Sequence, residues 1–296
     1  MQTLYMKISG FNEIFTRLKQ ERESFELRST NYTKQIKFTN KDVKYIFNED
    51  AVEDYKGLAL INKVRKDATE FLKPKMKLHE PKFINFYNLI DRPPEGIIAK
   101  VDLTSAYWSY SMKEGIISSM TDRFFEQSWD KETTKKKKQA RLKALGSLAT
   151  KKEFRIFVDG ILKDQWTEMD IQKRNLYMSV CKGVDNIMND TINNVDGIFF
   201  YYWDCFFCNE ENVTDVIEYL KTLGYGAKVG VTKIIIEEQW GRKYIRATSD
   251  NKIYMTRNEK RFLLDDLYNT DSKNSINDNQ PCYADPIIPD FSSIRW

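Results

Sequence analysis

The segment Lys100-Val101-Asp102-Leu103-Thr104-Ser105-Ala106-Tyr107-Trp108-Ser109 offers a carboxylate, then hydroxyls, then an aromatic ring. An apolar, strand-like approach precedes it, through Gly96, Ile97, Ile98, Ala99, Lys100 and Val101. A carboxylate at a strand end, beside a turn, is well placed to hold a divalent cation against a substrate phosphate. Mg²⁺ takes one or two carboxylates together with phosphate oxygens and water. The same residues also suit an ordinary strand end with a capping Asp.

A second carboxylate falls in Phe199-Phe200-Tyr201-Tyr202-Trp203-Asp204-Cys205-Phe206-Phe207. This aromatic, β-prone run reads as a hairpin bent at Asp204. Two strands ending side by side would bring Asp102 and Asp204 within reach of one ion. Carboxylates shared by two metals are the arrangement for in-line phosphoryl transfer. Asp196-Gly197 competes for the role, but it precedes the strand and reads as a helix-to-strand turn.

Between the carboxylates lies a lysine-rich stretch, Lys135 to Lys152, expected as a basic helix over about Thr133 to Lys152. Helical spacing puts Leu142, Leu145 and Ala149 on one face and Lys136, Lys143 and Ser147 on another. The apolar face could pack on a sheet while the basic face meets phosphate. A solvated lysine surface is the plain alternative.

In this order the three segments resemble motifs A, B and C of the family B DNA polymerases. Asp102-x-x-Ser105-x-Tyr107-x-Ser109 is similar to motif A. Gly146-Ser147-Leu148-Ala149 takes the Asn-Ser-x-Tyr part of motif B, with Ser147 matching and Gly146 and Ala149 departing. The hairpin resembles motif C, usually Tyr-x-Asp-Thr-Asp-Ser or Asp-Thr-Asp-Gly, and two registers are open. With Asp204 as the second Asp, Cys205 replaces the small residue and Tyr202 the first Asp. With Asp204 as the first Asp, Phe206 replaces the second. The first register keeps a small residue after the carboxylate and is preferred.

The resemblance spans about residues 96–245 and implies roles residue by residue. Asp102 and Asp204 would bind a pair of Mg²⁺ or Mn²⁺ ions, with the Leu103 backbone carbonyl contributing. Ser105 and Ala106 would line the triphosphate with backbone groups. Tyr107 would stack beneath the incoming sugar and exclude a 2′-hydroxyl, favouring deoxynucleoside triphosphates. Lys143, with Arg141 as alternate, would neutralise the leaving pyrophosphate, beside Ser147. Lys136, Arg242, Lys243 and Tyr244 would contact a DNA primer–template. The activity implied is a minimal nucleotidyltransferase without an exonuclease domain. Viral replication in a host cell cytoplasm would be a fitting setting. A palm that has lost catalysis and serves as a nucleic-acid-binding or replisome scaffold protein is the alternative.

The elements that must position these residues are expected as an α+β fold. It comprises a polymerase-like palm, whose antiparallel sheet is packed by helices, and a mainly helical N-terminal region. The expected divisions are 1–95, an accessory region; 96–245, the palm-like domain with the inserted basic helix; 246–270, C-terminal strands or helix; and 271–296, an extended tail. Short helices are expected at Phe11 to Lys19 and Asp42 to Phe47, and longer ones at Val52 to Leu72 and Asp170 to Asn193. Another helix, from Glu211 to Leu223, is closed by Gly224. Strands are expected at Thr232 to Glu237, Tyr244 to Thr248 and Lys252 to Thr256. The tail ends in an apolar hook, Ile287 to Phe291 and Ile294 to Trp296, a candidate for a protein partner.

Composition sets outer bounds. The 296 residues are 41% hydrophobic and 14% aromatic, enough for a substantial core. Net charge is +4, mildly basic, so charge distribution carries more information than the total. A single histidine, His79, argues against zinc-hydrolase and Ser-His or Cys-His triad chemistry. No secretory leader is expected at the start, so the four cysteines are expected reduced and the protein cytoplasmic. No apolar run nears the roughly 20 residues that span a bilayer. Cys205 and Cys208 look like half a zinc site, but strand residues three apart point to opposite faces and cannot share an ion.

Overall fold

Apolar and charged residues alternate from Ala99 to Leu103, which gives the end of the strand Gly96–Leu103 two unlike faces. The structure is a computed structural model. It describes residues 1–249 apart from 31, 50, 52–53, 74–77, 83, 85–86 and 240–241, and adds strand backbone at 252–253 and 262–263. For Tyr87 and for 237–249 only the backbone is described. The expected tail, 271–296, lies outside the described residues.

In chain order the elements begin with β1 (Gln2–Lys7), α1 (Phe11–Gln20), β2 (Phe25–Ser29), β3 (Lys34–Phe38), β4 (Val43–Asn48) and α2 (Tyr55–Leu72). There follow β5 (Tyr87–Leu89), β6 (Gly96–Leu103), α3 (Ala106–Lys113), α4 (Ser119–Ser128) and α5 (Thr134–Gly146). Next come β7 (Lys152–Val158), β8 (Ile161–Glu168), α6 (Ile171–Asn194), β9 (Ile198–Tyr202), β10 (Cys205–Cys208) and α7 (Val213–Thr222). The described chain closes with β11 (Ala227–Gln239), β12 (Arg242–Ser249), β13 (Lys252–Ile253) and β14 (Phe262–Leu263). The fold is mixed α and β with antiparallel pairing dominant. No described helix is long and apolar enough to cross a membrane.

Two compact units divide the chain. Among the described residues, one joins Met1–Glu80 with Glu114–Met178; the other joins Pro81–Lys113 with the residues from Ser179 onward. The stretch 96–245, expected as one domain, is therefore shared between them.

In the first unit the sheet order is β1-β4-β3-β2-β7-β8, with β1 and β4 parallel and the other neighbours antiparallel. Helix α1 carries Phe11, Ile14, Phe15 and Leu18 at helical spacing, and these pack on Phe25, Leu27, Ile36, Phe38, Phe47 and Phe157 of the sheet. Phe25 and Phe157 stack with ring centres 4.8 Å apart, and Phe11 meets Phe47 edge-on at 5.3 Å. Each such ring removed from water contributes about 1.5–3 kcal/mol.

This unit corrects three expectations. The short helix expected at Asp42 to Phe47 is strand β4: Val43, Tyr45 and Phe47 have period two, and β-branched and aromatic residues suit a pleated surface. The N-terminal region is not mainly helical, because β1 to β4 accompany α1 and α2. The basic helix stops at Gly146 rather than reaching Lys152; a 3₁₀ turn, Ser147–Ala149, follows and leads into β7. Helices α1 and α2 match the expected segments closely.

In the second unit the sheet runs β13-β12-β11-β6-β10-β9-β5, all neighbours antiparallel. Its four middle strands, β11-β6-β10-β9, are linked as strand β6, helices, the hairpin β9–β10, helix α7 and strand β11. This is a split β-α-β-β-α-β arrangement. The segment 114–178, which belongs to the first unit, is inserted between β6 and β9. One sheet face is covered by helices: Ala99, Val101, Leu103, Tyr201, Phe206 and Cys208 pack with Ala106, Val184, Met188, Val216 and Leu220. The other face carries Ile98, Phe200, Cys205, Phe207 and Ile234, with Phe200 and Phe207 stacked at 4.3 Å.

Inside the helix-covered face sits one polar knot. The Tyr201 hydroxyl donates to Asp185 Oδ1 at 2.8 Å, and Lys182 Nζ lies 2.9 Å from Asp185 Oδ2. Burial, then the hydrogen bond to Asp185, holds the Tyr201 hydroxyl far above the usual tyrosine range. Between Lys182 and Asp185, Gly183 lets α6 approach α3, since a Cβ there would lie 2.0 Å from the Tyr110 ring. In an open helix Gly→Ala stabilises by about 1 kcal/mol. Here Gly183→Ala should instead cost about 1–3 kcal/mol through overpacking, read as a lower urea midpoint.

Candidate functional site at the central strand ends

Strand β6 is hydrogen-bonded on both edges, by β10 and by β11. Its residues Ala99, Val101 and Leu103 are buried against the helices, so Ile98, Lys100 and Asp102 project from the other face. Asp102 is therefore at the strand end with its side chain 43% exposed. The hairpin β9–β10 turns at Trp203 and Asp204, with Trp203 in the left-handed region at φ 58°. Register pairs Cys205 directly with Asp102, and the Leu103 N–H donates to the Asp204 carbonyl at 2.8 Å. The two expected carboxylates thus belong to adjacent strand ends of one unit.

Electrostatics tie the cluster together. Lys100 Nζ lies 3.0 Å from Asp102 Oδ2, on the same face of the same strand. The Cys205 thiol opposite Asp102 is buried. Burial pushes it well above the usual thiol range, Asp102 adds to that, Lys100 opposes it, and Asp204 adds again. One thiol therefore feels both carboxylates. On the other edge of β6, register sets the exposed Lys228 beside Asp102.

The residues after Asp102 form a tight exit into α3. Thr104 N–H donates to the Gly226 carbonyl at 2.8 Å, and Ser105 holds a left-handed φ of 52°. Ser109 N–H finds the Ser105 carbonyl at 2.9 Å. The N–H groups of a helix's first turn have no acceptor within the helix and can face an anion. Ala106 is buried, and Tyr107 is half-buried and packs against the helix-side core. Leu103 is buried in the same core.

The motif B residues belong to the first unit, on α5 and just beyond it. Arg141, expected as an alternate triphosphate contact, is engaged locally: its Nη2 lies 2.5 Å from Glu126 Oε1, and its guanidinium sits 4.4 Å over the Phe125 ring. Ser147 is buried, its hydroxyl donates to the Ala144 carbonyl at 2.7 Å, and its own carbonyl accepts from Arg65 at 3.1 Å. Its side chain closes the helix end instead of facing outward. Lys136 pairs with Glu132 at 3.1 Å on the exposed side, and Lys143 is half-buried. Of the expected apolar face, Leu145 is buried and Leu142 half-buried on the helix, and Ala149 is buried in the 3₁₀ turn beyond it.

Arg242, Lys243 and Tyr244 start β12, opposite Gln239, Glu238 and Glu237 of β11; their side chains lie outside the described ones. Cys205 and Cys208 do fall on opposite faces, one in each core cluster of this unit. Asp196-Gly197 forms the turn between α6 and β9, with Gly197 at φ 76°.

Sequence reasoning missed Lys100 and Lys228. Lys100 was legible in principle, since positions 100 and 102 of any strand share a face. Lys228 was not, because only the pairing of β11 with β6 brings it beside Asp102. Among the described residues no group of three or more His, Cys, Asp or Glu side chains is placed to hold a metal ion. Asp102 and Asp204 are oxygen donors of the kind Mg²⁺ or Mn²⁺ accepts. No protein-family model, curated protein or solved structure matches this chain.

Burial pushes the Cys208 thiol up to about 11. An unfolded thiol titrates near about 8.5. The folded state is thus favoured fully below that pH, and the contribution fades as pH rises towards the folded value. Native protein at about pH 8.5 should resist iodoacetamide at Cys205 and Cys208, both labelling only in urea, as read by peptide mass spectrometry.

Proposed function

We propose that this protein is a metal-dependent nucleotidyltransferase with a family B-like polymerase palm, adding deoxynucleotides to a nucleic-acid primer end. The observation that carries the reading is that Asp102 and Asp204 lie at adjacent strand ends of a split β-α-β-β-α-β sheet. Asp102, Asp204 and the Leu103 carbonyl would hold Mg²⁺ or Mn²⁺. Such an ion, when bound, stabilises charge on phosphoryl oxygens. Ser105 and Ala106, at the start of α3, would meet the triphosphate through backbone N–H groups. Tyr107 would select the sugar. Lys143, beside Ser147, would meet the pyrophosphate, with Arg141 held back by Glu126. Lys136, Arg242, Lys243 and Tyr244 would contact the primer–template DNA through charge and stacking. A site with no histidine nearby suits catalysis by positioning and electrostatics. The setting we propose is DNA replication by a viral or mobile element, in the host cytoplasm, with the tail available to a protein partner.

A second reading is a palm that binds nucleic acid without catalysis. Two features favour it: Lys100 already pairs with Asp102, and Tyr202 stands where the family has a further Asp.

The deciding experiment is extension of a labelled primer–template by purified protein with Mg²⁺ or Mn²⁺. Wild type should extend, and Asp102→Asn and Asp204→Asn should each lower the rate by about a hundredfold or more. Extension that survives both substitutions would sink the reading. DNA binding without extension by wild type, weakened when Lys136 and Lys143 are neutralised, would favour the silent palm.

A further inference from the structure

We infer that Lys100 is a phosphate-binding residue of this site, supplying beside Asp102 the positive charge that a two-cation site draws from its second metal; the inference rests on the nucleotidyltransferase reading. It departs from the metal pair implied by the family resemblance.

Lys100 is not a loose surface lysine. Its side chain is only 16% exposed, and its ammonium is held 3.0 Å from Asp102 Oδ2. The alternation of β6 forces it onto the face that bears Asp102, because Ala99 and Val101 are committed to the helix-covered core. Register sets it between Phe207 of β10 and Gly230 of β11. A Cβ on Gly230 would meet nothing within 4 Å, so the β11 residue beside Lys100 adds no bulk on that flank.

Charge balance points the same way. The strand ends carry two carboxylates, Asp102 and Asp204, and two ammonium groups, Lys100 and Lys228. Two divalent cations there would crowd an ammonium already paired to one of their ligands, with few carboxylates to offset them. One cation together with the lysines instead matches the several negative charges of a nucleoside triphosphate. An ammonium has three donors on a compact charge and serves phosphate well as a point charge.

The test separates metal binding from nucleotide binding. Mn²⁺ uptake is followed by electron paramagnetic resonance, and binding of a non-hydrolysable deoxynucleoside triphosphate analogue by calorimetry. Wild type, Lys100→Ala, Lys100→Met, Lys100→Arg and Asp102→Asn are compared, each first checked for native melting. Wild type should take up a single Mn²⁺ per chain, lost in Asp102→Asn. Lys100→Ala and Lys100→Met should weaken analogue binding about tenfold or more, with Mn²⁺ affinity held or raised. Lys100→Arg should restore most of the analogue affinity. A second Mn²⁺ on wild type, or unchanged analogue binding without Lys100, would overturn the inference and leave the enzyme reading standing. Loss of Mn²⁺ uptake together with analogue binding in Lys100→Ala would also overturn it, making Lys100 a group that holds Asp102 in place. Wild type that binds neither probe would take down both the inference and the reading on which it rests.

Discussion

Everything at the candidate site follows from the confinement of one strand. Strand β6 has a partner on each edge and helices on one face. Its backbone polar groups are bound in ladders, and the side chains of Ala99, Val101 and Leu103 are committed to the core. Slipping the register by a single residue would drive Lys100 and Asp102 into that core and expose Val101 and Leu103. A buried, uncompensated charge is far costlier than a half-exposed one. The same burial that stabilises the sheet therefore aims the carboxylate outward.

The hairpin beside it is fixed in a comparable way. Phe206 and Cys208 belong to the helix-covered face and Cys205 and Phe207 to the other, and Phe200 stacks on Phe207. With both sides of β10 packed, the turn at Trp203 and Asp204 has a single place to go, level with the end of β6. The Leu103 N–H bond to the Asp204 carbonyl records that level. The polar knot of Tyr201, Asp185 and Lys182 then ties β9 to α6 from beneath. A satisfied buried network of this kind favours one arrangement over its alternatives, since any other leaves charged groups without partners.

The basic helix illustrates how charge and packing divide labour. Its N-terminal lysines, Lys135, Lys136 and Lys138, are exposed, whereas its C-terminal end, with Ala144 and Leu145, and the 3₁₀ turn after it, with Leu148 and Ala149, are buried. Arg141 lies between the two regimes. Its long stem and planar head cover Phe125 while the charge is met by Glu126, as expected of an arginine that packs as well as it pairs.

Much of this was legible in the sequence. An apolar run ending in a carboxylate marked β6, helical spacing marked α2 and α6, and the aromatic run with one interposed Asp marked the β9–β10 hairpin. Both candidate carboxylates could be named because residues at strand ends and turns are conspicuous locally. What sequence misjudged was equally local in form but settled by distant partners. The segment Val43–Asn48 is short enough to be read either way, and only its pairing with β1 and β3 makes it a strand. The stretch after Gly146 could have continued as helix, yet β7 is claimed by β2 and β8. Ser147 looked available until the helix end closed on it. Spacing along the chain thus determined which residues could do chemistry. Tertiary structure decided which of them meet, because the neighbours of Asp102 across the sheet, Cys205 and Lys228, come from strands more than a hundred residues away.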